Sequence, residues 1–198
     1  SDLGVVAPFF VPLKVTLFLA FLIALPIVLY QIWAYVAPAL YRSEKRLALP
    51  VLISSIVMFA VGMAYCYFIV FRMVFQFIAG FSPDSVNFAP DIDSYFSFVL
   101  TMFLAFGLTF EVPIFVVVLN RVGFASCTKL KKARPYVIVG AFVIAAIFTP
   151  PDALSQILLA LPLVVLYQVG IWCVQAFGKT DDEVEEMKEK KAEEDAEG

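Results

Sequence analysis

Residues 94–120 read SYFSFVLTMFLAFGLTFEVPIFVVVLN, with one charged residue, Glu111, in the whole stretch. A helix needs about 20 apolar residues to cross a bilayer, and this run exceeds that. A lone charge at membrane depth costs about 2.5–3.5 kcal/mol on insertion scales, so it ordinarily faces protein or water and serves a function. Pro113 follows two residues later. Proline has no backbone N–H, so the carbonyl of Thr109, one turn back, is expected to lose its helical partner. A carboxyl group and a loosened turn therefore coincide in one helix.

Other uncharged runs extend the reading. Residues 15–41, 47–71 and 153–178 are each long enough to span. The chain is 62% hydrophobic and 16% charged, with mean hydropathy +0.92, whereas a soluble domain carries about 25% charged residues. A fifth run is shorter: Pro135 to Thr149 reaches only about 22 Å, against a hydrocarbon core of about 30 Å. The expected fold is an all-α membrane protein with spans near 15–36, 50–71, 95–120, 135–149 and 154–177. Pro26, Pro113 and Pro162 lie inside spans and point to bent helices enclosing a concave surface. Residues 1–178 form the transmembrane domain and 179–198 a tail. The mixed segment Ser1–Pro12 is no signal peptide. It reads as a loop, with an N-terminal part expected to be missing.

Charge sets the expected orientation. Loop 37–49, loop 121–134 and the tail hold 12 of the 14 basic residues. The remaining two, Lys14 and Arg72, share the alternate segments with Asp2, Asp84, Asp91, Asp93 and Asp152. By the positive-inside rule the basic loops and the C-terminus are cytoplasmic, and loop 72–94 and the Pro150-Pro151 turn face the other side. The tail carries four lysines and ten acids. It cannot bury enough apolar surface to fold alone and reads as disordered and solvated. Its Glu/Lys spacing suits a short exposed helix, and a docking role is the alternative.

Composition also excludes functions. There is no histidine, and Cys66, Cys127 and Cys173 are scattered. Zinc sites of the usual Cys/His kind and histidine catalysis are therefore not expected. The cysteines read as small apolar packing residues. No phosphate-cradling glycine loop and no internal repeat is visible. The chain reads as no enzyme, with no cofactor, no metal site and no nucleic-acid partner.

Four constellations remain. In loop 37–46 a single acid, Glu44, sits among Arg42, Lys45 and Arg46; it is either a neutralising partner in a membrane anchor or a receptor for a cation. Tyr30 to Pro38 forms an aromatic ridge, either an interface belt or the wall of an apolar groove. Glu111 and Gln156 could pair with each other or with a partner helix, and Gly107 would leave room beside Glu111; proton relay is the rival use. In the Thr149-Pro150-Pro151-Asp152 turn, Asp152 is a helix N-cap or a functional contact.

These residues carry a resemblance. Ala7-Pro-Phe-Phe10, Tyr30-Gln-Ile-Trp-Ala34, Ala37-Pro-Ala-Leu-Tyr41, Glu44-Lys-Arg46, Ser94-Tyr95, Ala105-Phe-Gly107, Phe110-Glu-Val-Pro113, Arg134-Pro-Tyr136 and Thr149-Pro-Pro-Asp152 resemble, in order, the TatC family. Its members are the multispanning receptor subunits of twin-arginine protein translocases. The match covers most of residues 1–178 and leaves out the tail. It implies six helices in the full-length chain with both termini cytoplasmic, the first helix being absent here. It implies that Glu44 binds the paired arginines of a signal peptide on folded cargo, with Tyr35, Pro38 and Arg46 at or beside that site. The family often has phenylalanine where Tyr35 stands. Glu111 resembles an intramembrane glutamate facing a lipid-filled concavity. The resemblance implies that Gln156 joins it in a polar cluster touching the single-span partners TatA and TatB, and that Pro150, Pro151 and Asp152 form a periplasmic turn. The short helix from Pro135 resembles the family's partner-docking helix, paired with the last span. Other TatC copies and membrane lipid are the further implied partners. The bacterial inner membrane is the implied location, and the proton-motive force the implied energy source. The residues alone leave one alternative, a small proton-coupled secondary transporter or channel using Glu111, although transporters usually carry inverted repeats.

Overall fold

The computed structural model describes residues 3–36, 45–81, 92–149 and 151–198. The described residues are helical throughout, joined by short turns, with no strand among them. Helix α1 is Leu3–Val36 and α2 is Lys45–Tyr65. A π-helical turn, Cys66–Val70, joins α2 to α3, Phe71–Phe81. Then come α4 (Ile92–Thr109), α5 (Val112–Arg121), α6 (Cys127–Lys132), α7 (Arg134–Phe148), α8 (Ala153–Phe177) and α9 (Asp181–Glu197).

Four stretches are long and apolar enough to cross a membrane, namely Pro8–Tyr35, Arg46–Gly80, Ile92–Arg121 and Ala153–Phe177. The shorter apolar helix is Arg134–Phe148, where the sequence placed its 15-residue run. Three expectations change. The segment up to Pro12 is not a loop, because α1 runs from Leu3 through Pro8 and Pro12; prolines are accepted in apolar helices where surrounding groups take up the lost hydrogen bond. The second span does not stop near residue 71 but continues in helix to Phe81. The tail is not structureless, since α9 covers most of it. Its start is fixed by a reciprocal cap: the Thr180 hydroxyl accepts from Glu183 N while the Glu183 carboxylate accepts from Thr180 N at 2.7 Å, satisfying two donors that a helix start leaves open.

Three apolar clusters hold the bundle. The largest joins the π turn and α3 to α4, α7 and α8, through Cys66, Val70, Met102, Phe106, Ala145 and Leu159. A second joins α1, α2 and α5 around Leu29, Trp33, Phe59 and Val118. A third ties α5 and α6 to α8 through Val116, Leu130, Tyr167 and Ile171. Lipid is as apolar as leucine, so helices in a membrane associate where small residues let backbones approach closely. Glycines mark those places. A Cβ on Gly62 of α2 would lie 2.4 Å from the Phe106 carbonyl of α4, and one on Gly170 of α8 would lie 3.2 Å from Pro113 Cα.

Across the bundle, Lys14 of α1 pairs with Asp93 of α4 at 2.7 Å and donates to Ser97 at 2.9 Å. Loop 121–134 and the tail are hydrogen-bonded to each other at the opposite end, called here the basic end.

Candidate functional site

Pro113 acts as its chemistry dictates. The helix is interrupted at Phe110 and Glu111, between α4 and α5. The Glu111 amide donates to Leu108 O at 3.1 Å, a tighter turn than the helical pattern, and helical bonding resumes with Phe115 N to Glu111 O at 3.0 Å. The Thr109 hydroxyl turns back to Ala105 O at 2.7 Å.

The Glu111 side chain is 8% exposed, and both carboxyl oxygens are buried without a hydrogen-bond partner among the described residues. Ser55 of α2 acts on it from across the bundle but does not reach hydrogen-bond geometry. The Ser55 hydroxyl accepts from Trp33 Nε1 of α1 at 2.7 Å, so its own proton remains to be given. Trp33, Ser55 and Glu111 thus form an incomplete polar line across three helices. A buried polar group left without a hydrogen bond costs about 1–3 kcal/mol, and among the described residues it is the Glu111 carboxyl that is left so.

Two expectations about Glu111 are not met. Gln156 does not join it. Gly170 lies opposite Pro113, and Gln156 is 14 residues earlier on α8, about 21 Å along the axis. Nor does Gly107 leave room for a visiting helix, because a Cβ there would lie 2.6 Å from the Phe59 ring, which fills the space from α2. Phe59 is an apolar residue on a span, and nothing local distinguishes it as the neighbour of Gly107.

Two grooves flank the interruption. One, of about 600 Å³, runs between α2, α5 and α8 and is lined by Leu47, Ser54, Pro113, Val117, Arg121 and Phe177 among others. The other, of about 410 Å³, lies between α4, α7 and α8, with Leu108, Thr109, Val112, Ile144 and Phe148 in its lining. Glu111 falls in sequence between Thr109 and Val112 of one lining and Pro113 of the other.

Of the proposed receptor residues, Glu44 and Pro38 lie outside the described residues. Tyr35, in the last turn of α1, has 88% of its surface exposed, and Arg46 is exposed at the start of α2. Arg46 immediately precedes Leu47, at the basic end of the larger groove. The aromatic ridge is split by the helix period. Trp33 turns inward, 4% exposed, while Tyr30 and Tyr35 face out.

At the other end of the bundle, Asp152 caps α8, accepting from Ser155 N at 2.7 Å and Ser155 Oγ at 2.6 Å; that is the capping role of the two weighed for it. Gln156 N donates to Asp152 O at 3.3 Å. Pro151 is exposed and Pro150 lies outside the described residues.

Sequence reasoning passed over Ser55 and Asn120. Ser55 had a signal, a serine pair inside an otherwise apolar run. Asn120 is fully buried and bonded on both sides, to Ala125 O at 3.1 Å and to Lys179 N at 2.7 Å; its partners are 5 and 59 residues away, beyond any local pattern.

Comparison with known proteins bears on the whole arrangement. Residues 2–162 match the family model described as Sec-independent protein translocase protein (TatC). The TatC of Escherichia coli (strain K12) is 48% identical over 168 residues, covering 85% of this chain and 65% of the relative. That of Halothiobacillus neapolitanus is 49% identical over 175 residues, covering 88% and 48%. A crystal structure of a twin-arginine translocase receptor TatC in DDM superposes with TM-score 0.74 at 40% identity, covering 87% of this chain and 75% of that one. The chain thus spans from about half to two thirds of the length of these two sequence relatives.

Proposed function

The chain belongs to the TatC family, and from that premise we propose that it is the core receptor subunit of a twin-arginine translocase in a bacterial plasma membrane. The basic end faces the cytoplasm. There Glu44 pairs with the arginines of a signal peptide, beside Tyr35, Pro38 and Arg46; a carboxylate accepts a guanidinium through two parallel hydrogen bonds. The observation that carries this reading is the family match over residues 2–162.

The larger groove supports it. It begins at Leu47, next to Arg46, and its lining is mostly apolar as far as Pro113, a surface suited to the apolar part of a signal peptide. The single-span partners TatA and TatB dock at α7 and α8, where the second groove offers a further apolar surface. Glu111 and Gln156 act there as two separate polar points rather than as one cluster. Further TatC copies and lipid complete the surroundings, and the proton-motive force supplies the energy.

The test is a photo-crosslinker at Ser43, beside Glu44, in the full-length protein in native membranes. A twin-arginine signal peptide is compared with its twin-lysine version. Crosslinking to the arginine form alone is expected. No crosslink to either form, with correct insertion demonstrated, would overturn the receptor reading and favour a transporter centred on Glu111, to be sought as pH-dependent uptake into vesicles without any signal peptide.

A further inference from the structure

The acidic tail lies beyond residues 2–162 that match the family, yet it is bonded to the basic end at several points. Lys179 N donates to the buried Asn120 amide oxygen at 2.7 Å, and Asn120 Nδ2 returns a bond to Lys179 O at 3.3 Å. The Asp181 carboxylate caps α6, accepting from Cys127 N at 3.0 Å and from the Thr128 hydroxyl. Val184 is fully buried. Met187 closes over Gly123, where a Cβ would lie 3.2 Å from it, and Gly123 has φ +82°. Lys191 reaches Val122 O at 3.2 Å. A 17-residue helix dominated by charge has little stability alone, so these contacts give α9 its fixed place.

The seat of the tail is also the end of the larger groove. Two of the groove's walls are α5 and α8, ending at Arg121 and Phe177. The Arg121 guanidinium donates to Phe177 O, and its charge is felt by the Glu183 carboxylate of α9. The Lys179–Asn120 pair joins the same two helix ends one step further out. The bonds from Lys179 to Asn120 place the start of the tail on the α5–α8 side of the mouth.

We propose that α9 is a brace that clamps the basic ends of α5 and α8 together, and so fixes the mouth of the groove between α2, α5 and α8. The ligand served is an apolar peptide segment entering beside Arg46. That part rests on the receptor reading; the clamp itself does not. A preformed mouth spares the incoming segment the cost of ordering it. Undocking the tail loosens the mouth.

The experiment uses Cys173, which lines the groove four residues before Phe177, in the full-length protein with Cys66 and Cys127 replaced by alanine. Amide exchange over 183–191 reads docking, and the rate of Cys173 alkylation reads the mouth. The wild-type tail is expected to be protected. Val184→Asp should lose that protection and raise the alkylation rate several-fold. A chain ending at Thr180 should raise it equally, which guards against misfolding of the first variant. Glu194→Ala, on the exposed part of α9, should change neither. An unprotected wild-type tail, or a released tail with an unchanged alkylation rate, would overturn the brace. A crosslinker at Ser54 then tests the ligand separately. Its failure to capture a twin-arginine peptide in wild-type protein would count against the receptor reading while the alkylation result stands.

Discussion

The first span and the 92–121 span are similarly apolar but packed differently. Only 11% of the apolar window in Pro8–Tyr35 is buried by protein, against 56% in Ile92–Arg121. In water the first would be driven inward. In a bilayer lipid satisfies an apolar surface as well as protein does, so apolarity no longer selects which faces meet. Selection passes to close approach and to polar groups. The 92–121 span has both: Gly107 receives Phe59, Gly170 of α8 fits against Pro113 and Val116, and Glu111 sits at the break. Among the polar ties of the first span are Trp33 on Ser55 and Lys14 on Asp93 and Ser97.

The comparison breaks most sharply at Gly62, where α2 meets the 92–121 span. Gly62→Leu drives a side chain into the Phe106 backbone, which cannot move aside as a side-chain tip can. A loss of about 3 kcal/mol or more is expected, read as a large drop in the thermal midpoint in detergent. The same change at Gly80, whose missing Cβ would meet nothing within 4 Å, should leave the midpoint nearly unmoved.

Glu111→Leu should move stability the other way. It removes an unpartnered buried carboxyl worth about 1–3 kcal/mol, so the midpoint should rise. Under the proposed function, signal-peptide crosslinking at Ser43 persists while crosslinks to TatA change. A lower midpoint would mean that Glu111 has a partner in the membrane that offsets its burial.

At the basic end, Val184→Asp should cost the tail about 2 kcal/mol of apolar burial. The loss should appear in exchange over 183–191, with the amides of α4 unchanged. Asp181 tests the same contact through pH. Its carboxyl is held below the usual value of 3.8, first by the Thr128 hydroxyl and then by backbone donors and Lys131. A group with a depressed folded pKa stabilises above its unfolded value and loses that contribution as pH falls through the folded one. Tail protection factors should therefore stay level from neutral pH down to the ordinary carboxylate range and decline below it. Asp181→Asn should be weaker at neutral pH and flatter with pH.

The smallest effect belongs to Lys14. Its pair with Asp93 is about one third exposed on both sides, so Lys14→Met should cost about 0.2–1 kcal/mol, seen as a slight midpoint shift that added salt reproduces in the parent.

The legible parts of this molecule are those carried by a single residue type in a local run. The short apolar run at 135–149, the break at Pro113 and the Asp152 cap each follow from a few neighbouring residues. The extension of α1 through Pro8 and Pro12 was not legible, because a proline's cost depends on what else satisfies the freed carbonyl. The candidate site divides in the same way. Glu111 announces itself as a lone charge, but its separation from Gln156 by about four turns of α8 depends on which residue of α8 meets Pro113. Ser55, Asn120 and the docked tail depend on partners that sequence order hides.

By itself the sequence determined that this is a helical membrane protein, which runs are apolar enough to span, where one helix must break, and which family the chain resembles. Those follow from transfer free energy, hydrogen-bond chemistry and the order of motifs, all of which are local. Only the tertiary structure decided which helix faces are covered, that the Glu111 carboxyl is buried with no hydrogen-bond partner among the described residues, and that an acidic tail is helical and bonded to a basic loop. Those rest on shape fit and on pairings between distant residues, and in a bilayer the apolar pattern is nearly the same on faces that meet protein and on faces that meet lipid.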